Sequence, residues 1–152
     1  IRDSSTSRGL GMCIRDRIQP FFPQMGKPWT HDAALPGGNF GHDEVEQRVA
    51  ALARKYPFLD QASVLRLFRA YGTDAEHVLG DARSAADLGQ SFGPLTEREV
   101  DWLRDNEWAH NADDVLWRRS KLGLHMTLAE QEALRTYMAS AHAVQKLKQA
   151  GG

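Results

Sequence analysis

The stretch from Leu95 to Leu124 reads L-T-E-R-E-V-D-W-L-R-D-N-E-W-A-H-N-A-D-D-V-L-W-R-R-S-K-L-G-L and sets three tryptophans, Trp102, Trp108 and Trp117, among paired charges. Thr96-x-x-Glu99 has the form of a capping box, so a helix is expected to open there and run toward Trp108. Asn111, Asp113 and Asp114 then offer caps and negative charge to a second helix, expected to run through Lys121. Arg118, Arg119 and Lys121 fall at its other end, where the helix dipole favours cations. Acids first and bases last is therefore what a helix alone selects. Tryptophans at helical spacing are expected in the core or in a domain contact rather than under a cofactor.

Working outward, Val45, Val49, Leu52 and Tyr56 share a stripe and predict a helix from about Asp43 to Tyr56, with Asp43 and Glu46 as a box-like start and Pro57 as its stop. Asp60 can cap a second helix whose Val64, Leu65, Phe68 and Tyr71 share a face before Gly72. A short third helix is expected over Asp74 to Leu79. Gly80 to Pro94 reads as a polar, glycine-punctuated crossover. Thr127-x-x-Glu130 opens a last helix to about Gln149, with Leu134, Tyr137, Met138, Ala141, Val144 and Leu147 as its stripe, Lys146 and Lys148 in its last turn and Gly151 beyond. The period-two Val, Ile and Thr clusters that strands need are absent. The fold class expected is all-α, a compact orthogonal bundle of about six helices.

Pro20, Pro23, Pro28 and Pro36 break any helix between Ile18 and Gly41, while Phe21, Phe22 and Trp29 argue for an ordered linker that packs on a neighbour. Residues 1–17 have no periodicity and carry Ile-Arg-Asp twice, at 1–3 and 14–16. They read as text foreign to the domain, of the kind produced by translated adapter sequence, so the native sequence is expected to start near Ile18. The division expected is 1–17 non-native or disordered, 18–41 interdomain linker, and 42–152 a helical domain.

The 152 residues, 41% hydrophobic, suit one domain with a core. A formal net charge of −1 and the lack of a broad basic face argue against a nucleic-acid partner. Cys13 is the sole cysteine, so no intrachain disulfide can form and a reducing, cytoplasmic setting is expected. No run is long and apolar enough for a transmembrane span. His31, His42, His77, His110, His125 and His142 show no ligand spacing, and no serine sits in a nucleophile elbow, so neither metal nor catalytic residues are assigned. Gly9-Leu10-Gly11-Met12-Cys13-Ile14 lacks the third glycine of a dinucleotide fingerprint. Leu35-Pro36-Gly37-Gly38 lets the backbone approach a neighbour closely, but no Lys-Ser/Thr pair follows to make it a phosphate loop. Asp113 and Asp114 diverge by about 100° on a helix, which suits capping and an ion pair to Arg118 better than a shared proton.

Glu107, Trp108, Ala112, Asp113, Asp114, Leu116, Trp117, Arg118, Arg119, Lys121 and Gly123 together resemble the pattern E-W-x-x-x-A-D-D-x-L-W-R-R-x-K-x-G of the C-terminal helical domain of FAD-dependent glycerol-3-phosphate dehydrogenases and the related alpha-glycerophosphate oxidases. The resemblance continues upstream in order through Trp29-Thr30, Leu35-Pro36-Gly37-Gly38, Tyr56-Pro57-Phe58-Leu59, Tyr71-Gly72, Leu79-Gly80, Asp87-Leu88-Gly89 and Phe92-Gly93. It covers about Ile18 to the C-terminus.

The resemblance implies a parent enzyme that oxidises sn-glycerol 3-phosphate to dihydroxyacetone phosphate, with FAD held in a preceding domain and none bound here. It implies that the chain is a cap on that flavin and substrate domain, inactive alone, with the parent peripheral on the cytoplasmic face of the membrane. Quinone or oxygen as electron acceptor is left open, as is a homo-oligomer. Trp108, Asp113, Asp114, Trp117, Arg118, Arg119 and Lys121 are expected in structural or interdomain roles. Arg118, Arg119 and Lys121 also have the chemistry to grip a phosphate, but interdomain or intrahelical ion pairs fit better, since the family's phosphate contacts lie chiefly in the other domain. The alternative is a stand-alone helical interaction or oligomerisation module.

Overall fold

The structure is a computed structural model that describes residues 14–15, 17–27, 29–30 and 32–150, with side chains as far as Ser140. The expectations on residues 1–13 including Cys13, on Asp16, Pro28, His31 and Gly151, and on the side chains of Ala141, His142, Val144, Lys146, Leu147 and Lys148 lie outside the described residues. The chain divides into two compact units between Ala33 and Ala34.

In the first unit Pro20 sits in a short 3-10 turn, Gln19–Phe21, closed by Phe22 N donating to Gln19 O at 3.0 Å. The fixed φ of proline suits the first residues of such a turn. Phe21, Phe22 and Trp29 are exposed.

The second unit is all-α save for one small hairpin. It starts with the Leu35-Pro36-Gly37-Gly38 turn, closed by Gly38 N on Leu35 O at 2.8 Å. Gly37 and Gly72 both have positive φ, and Thr73 N donates to Gly37 O at 2.9 Å. A Cβ on Gly37 would stand 2.0 Å from Tyr71 O, and one on Gly72 would stand 1.9 Å from Gly37 O. Two backbones cross here without side chains between them, and the turn is thereby clamped to the end of the second helix.

Helix α1 spans Val45–Lys55 and follows a 3-10 turn, His42–Glu44. Its start is held by Glu44, which accepts from Gly41 N at 3.4 Å and pairs with Arg48 at 2.7 Å, and not by the expected Asp43 and Glu46. Leu52 and Tyr56 are buried, Val45 and Val49 half-buried. Asp60 caps α2, Gln61–Tyr71, by accepting from Ser63 N at 2.8 Å. The buried face of α2 is Val64, Leu67, Phe68 and Tyr71, with Leu65 only half-buried. The face is wider than the sequence stripe because α2 packs on both α1 and α3, Ala75–Leu79. Tyr56 ties these together, its hydroxyl donating to Gly80 O at 2.7 Å.

Among the described residues the crossover holds the one sheet. Strands β1, Ser91–Phe92, and β2, Leu95–Thr96, pair antiparallel around Gly93-Pro94, with Phe92 and Leu95 fully buried. Gly93 has φ 64°, the backbone that a tight hairpin asks of its first central residue.

Helix α4 spans Glu97–Asn106, and Thr96 gives it no side-chain cap. The expected capping box is absent because Glu99 turns inward and is 1% exposed. The segment expected to run as an α-helix through Lys121 is instead π-helical over Asp114–Arg119. Val115 O takes two donors from five residues on, Ser120 N at 3.1 Å and Ser120 Oγ at 2.6 Å, and Lys121 leaves the helix at φ 55°.

Helix α5 spans Leu128–Ala150 and begins with the expected box, Thr127 N donating to Glu130 Oε2 at 2.7 Å. Leu134 and Met138 are buried, and Tyr137 tilts against Phe92 at 5.3 Å while donating to Asp101 at 2.9 Å. Among the described residues from Ala34 on, the chain thus forms five α-helices and one π segment, besides its 3-10 turns.

Candidate functional site

Two acidic side chains organise the surface where α2, α4 and the π segment meet. Glu99 is buried on the apolar face of α4 beside Val100 and Leu103. An isolated carboxylate there would carry a large desolvation cost. Arg66 of α2 answers it as a fork, Nη1 to Oε1 and Nη2 to Oε2, both at 2.7 Å, and also donates to Pro94 O at 2.9 Å. Tyr71 donates to Glu99 Oε1 at 2.9 Å, and its phenol is pushed well above its usual range by burial and by that carboxylate. Burial opposes the Arg66 charge, yet its pairing with Glu99 raises its pKa overall.

Asp114 starts the π segment. Its carboxylate accepts from His110 N at 3.0 Å and Asn111 N at 3.2 Å and pairs with Arg118, while Asn111 Oδ1 accepts from Asp114 N at 3.0 Å. Burial works against its ionisation, but the Arg118 and backbone donors outweigh that and lower its pKa. Asp113 points elsewhere, an exposed residue 3.5 Å from Arg135 of α5.

Beside the Glu99 network lies a cleft of about 230 Å³, lined by Arg66, Tyr71, Glu99, Leu103, Glu107 and Arg119 among others. Glu107 is half-buried; burial raises its pKa, the nearby Arg119 pulls it back, and Glu99 adds to the rise. Arg119 makes no hydrogen bond or ion pair with the described residues. Trp108, next to Glu107, is 75% exposed with φ 54°, held by Glu107 N and Ala109 N both bonding Leu103 O at 3.0 and 3.2 Å. A second depression of about 250 Å³ lies beside His110, Asp113, Arg135 and Met138.

The motif residues therefore separate. Asp114 and Arg118 hold the π segment, Arg119 faces the cleft, and Lys121 is exposed beyond it. The ring of Trp117 covers Gly123, whose absent Cβ would stand 2.7 Å from it. Trp102 lies half-buried, stacked with His77 at 6.1 Å. Gln131 secures the loop beneath, donating to Gly123 O at 3.1 Å and Met126 O at 3.2 Å. His42, His77, His110 and His125 are exposed, and no group of three metal-ligating residues converges among the described residues.

Sequence reasoning missed Arg66, Tyr71, Glu99 and Glu107. The signal was present. Helix α2 contains no acidic residue to pair Arg66, and Glu99 has Leu95, Trp102 and Leu103 at i−4, i+3 and i+4, which places an acid on an apolar stripe.

With this arrangement in view, a family model described as the C-terminal domain of alpha-glycerophosphate oxidase matches residues 28–150. The chain belongs to that family. It is 42% identical over 139 residues to a glycerol-3-phosphate dehydrogenase of Pseudomonas aeruginosa, covering 91% of this chain and 27% of that protein. It is 35% identical over 135 residues to the aerobic glycerol-3-phosphate dehydrogenase of Escherichia coli, covering 88% and 27%. With the D-erythritol 1-phosphate dehydrogenase of Brucella abortus it shares 39% identity over 141 residues, covering 92% and 28%. The chain spans little more than a quarter of the length of these curated relatives. As a C-terminal domain of this family, it holds the motif residues on one π segment and its flanks.

Proposed function

We propose that this chain is the C-terminal helical cap of a flavin-dependent enzyme that oxidises sn-glycerol 3-phosphate to dihydroxyacetone phosphate. The observation that carries the reading is the match of residues 28–150 to a C-terminal domain family whose members here are glycerol phosphate and erythritol phosphate dehydrogenases of about four times its extent. The cap supports the preceding flavin and substrate domain, and Trp108 and Trp117 are exposed large apolar side chains available to that contact.

The residues present do not fit an FAD. Dinucleotides of that kind are held where a glycine-rich loop joins a strand to a helix N-terminus. The strands among the described residues are two residues long, and the cleft of about 230 Å³ is smaller than the roughly 300–1,000 Å³ of common ligand pockets. No redox step is assigned to these side chains. The reading also carries a cytoplasmic location, with the parent enzyme peripheral on the membrane. No helix among the described residues is long and apolar enough to cross a bilayer.

The test is a fusion in which residues 28–152 replace the matching C-terminal part of the Pseudomonas aeruginosa relative. Dye-coupled oxidation of sn-glycerol 3-phosphate by the fusion, together with a colourless, inactive preparation of the chain alone, is the expected result. A chain that binds FAD and turns over substrate by itself overturns it.

A further inference from the structure

We propose that the loop from Lys121 to Leu128 is the surface by which the cap docks on the enzyme's preceding domain, with Leu124 and Leu128 entering an apolar seat there and the ring of Trp117 flanking them. This rests on the reading given under Proposed function and names the residues through which cap and body meet.

Leu124 and Leu128 are 74% and 82% exposed. Leu124 ends a 3-10 turn, Leu122–Leu124, and Leu128 is the first residue of α5. Neither position needs an apolar side chain for the fold. Leu122 is the residue of the turn that packs on the core, and the start of α5 is already fixed by the box of Thr127 and Glu130. Two leucines four residues apart are thus left to solvent, and grouped apolar surface of this kind marks a contact site.

The rigidity of the loop is the independent observation. Gln131 is buried and gives its amide to two loop carbonyls, Gly123 O at 3.1 Å and Met126 O at 3.2 Å. Ser120 Oγ accepts from Leu122 N at 3.2 Å, and His125 N donates to Leu122 O at 2.8 Å. The Trp117 ring lies on Gly123, the residue before Leu124, and is still 41% exposed. A loop whose turns are fixed in advance loses little freedom on docking, so its apolar surface converts into affinity.

The occupant is the preceding domain and not a second copy of the chain. Three side chains offer on the order of a few hundred Å², short of the roughly 800 Å² per partner that stable complexes of free proteins bury. A domain on the same polypeptide acts at an effective concentration of about millimolar, so a small patch suffices for it. The family places this domain at the C-terminus, and about three quarters of each relative's length lies outside the matched region.

The experiment compares two contexts. In the chain alone, the double variant Leu124→Gln with Leu128→Gln melts within about 2 °C of the parent, because both side chains face solvent. In the active fusion the same double variant raises the rate of trypsin cleavage between cap and body by about tenfold or more. Leu124→Met with Leu128→Met keeps that rate within about threefold of the parent, since the seat reads apolar surface. An active fusion cleaved at the same rate with and without the Gln pair overturns the inference while the proposed function stands. An inactive fusion with independently melting halves overturns both. Dimerisation of the chain alone that the Gln pair abolishes also overturns it, because the surface then belongs to a second copy.

Discussion

Arg66 and Arg119 line one cleft and have opposite circumstances. Arg66 spends its donors on Glu99 and Pro94 O inside the fold, whereas Arg119 makes no hydrogen bond or ion pair with the described residues. The same contrast recurs in the backbone: Gly72 and Trp108 have φ of 56° and 54°, one bare and crossed by another chain segment, the other carrying the largest side chain and facing solvent. The α2–α4 seam is closed upon itself. The stretch from Glu107 to Lys121 instead leaves Arg119 near the Glu107 carboxylate without a hydrogen bond to it, and holds the exposed indole of Trp108 at a positive φ.

The largest effect that could break this contrast is on the arginines themselves. Arg66→Ala leaves Glu99 buried and unpaired and is expected to cost about 3–5 kcal/mol in urea denaturation, against less than about 0.5 kcal/mol for Arg119→Ala. Equal costs for the two would erase the distinction. A Glu99→Gln background should remove most of the Arg66→Ala deficit, which a double-mutant cycle reads directly. Next in size, Gly72→Ala sets a Cβ 1.9 Å from Gly37 O at a positive φ and is expected to cost more than about 2 kcal/mol in the same assay. Thr127→Ala, which touches neither region, should cost about 1 kcal/mol as the loss of an ordinary cap and so calibrates both.

The smallest effect is in pH. Glu107 has a folded pKa raised above 4.5, so its contribution is fully present below that value and is lost as pH rises through the folded pKa. Asp114 is lowered from 3.8, so its contribution is present above that value and lost as pH falls through the folded pKa. Glu107→Gln should therefore stabilise the chain at pH 7, by a few tenths of a kcal/mol on the order expected after solvent screening, while Asp114→Asn destabilises it there. Thermal melts at pH 3, 5 and 7 separate the two, and a Glu107→Gln variant less stable at pH 7 contradicts the assignment.

Caps and breakers made most of the fold legible. Asp60, Thr127 with Glu130, Gly72 and Pro57 act locally, so their meaning survives without knowledge of the rest of the chain. Glu99 misled for the same reason. Thr96-x-x-Glu99 satisfies a local rule, but the gain from a fork with Arg66, 33 residues away, exceeds that of a surface cap. The hairpin at Gly93-Pro94 was announced by its turn residues and hidden by strands too short to show alternation. The motif segment was legible as a helix with acids first. Its π form was not, because it depends on the Ser120 hydroxyl choosing Val115 O over solvent.

That choice has a consequence for how length varies here. A π turn closes over five residues where an α turn closes over four, so Asp114–Arg119 holds one residue more than the same axial span needs. The segment acts as a phase shifter: the chain before Asp114 and after Ser120 can stay in place while the count between them changes by one. A homologue shorter by a single residue in this segment would show a harmless gap in an alignment. In space it would have Arg119 rotated by about 100°, away from the cleft and from the Glu107 carboxylate.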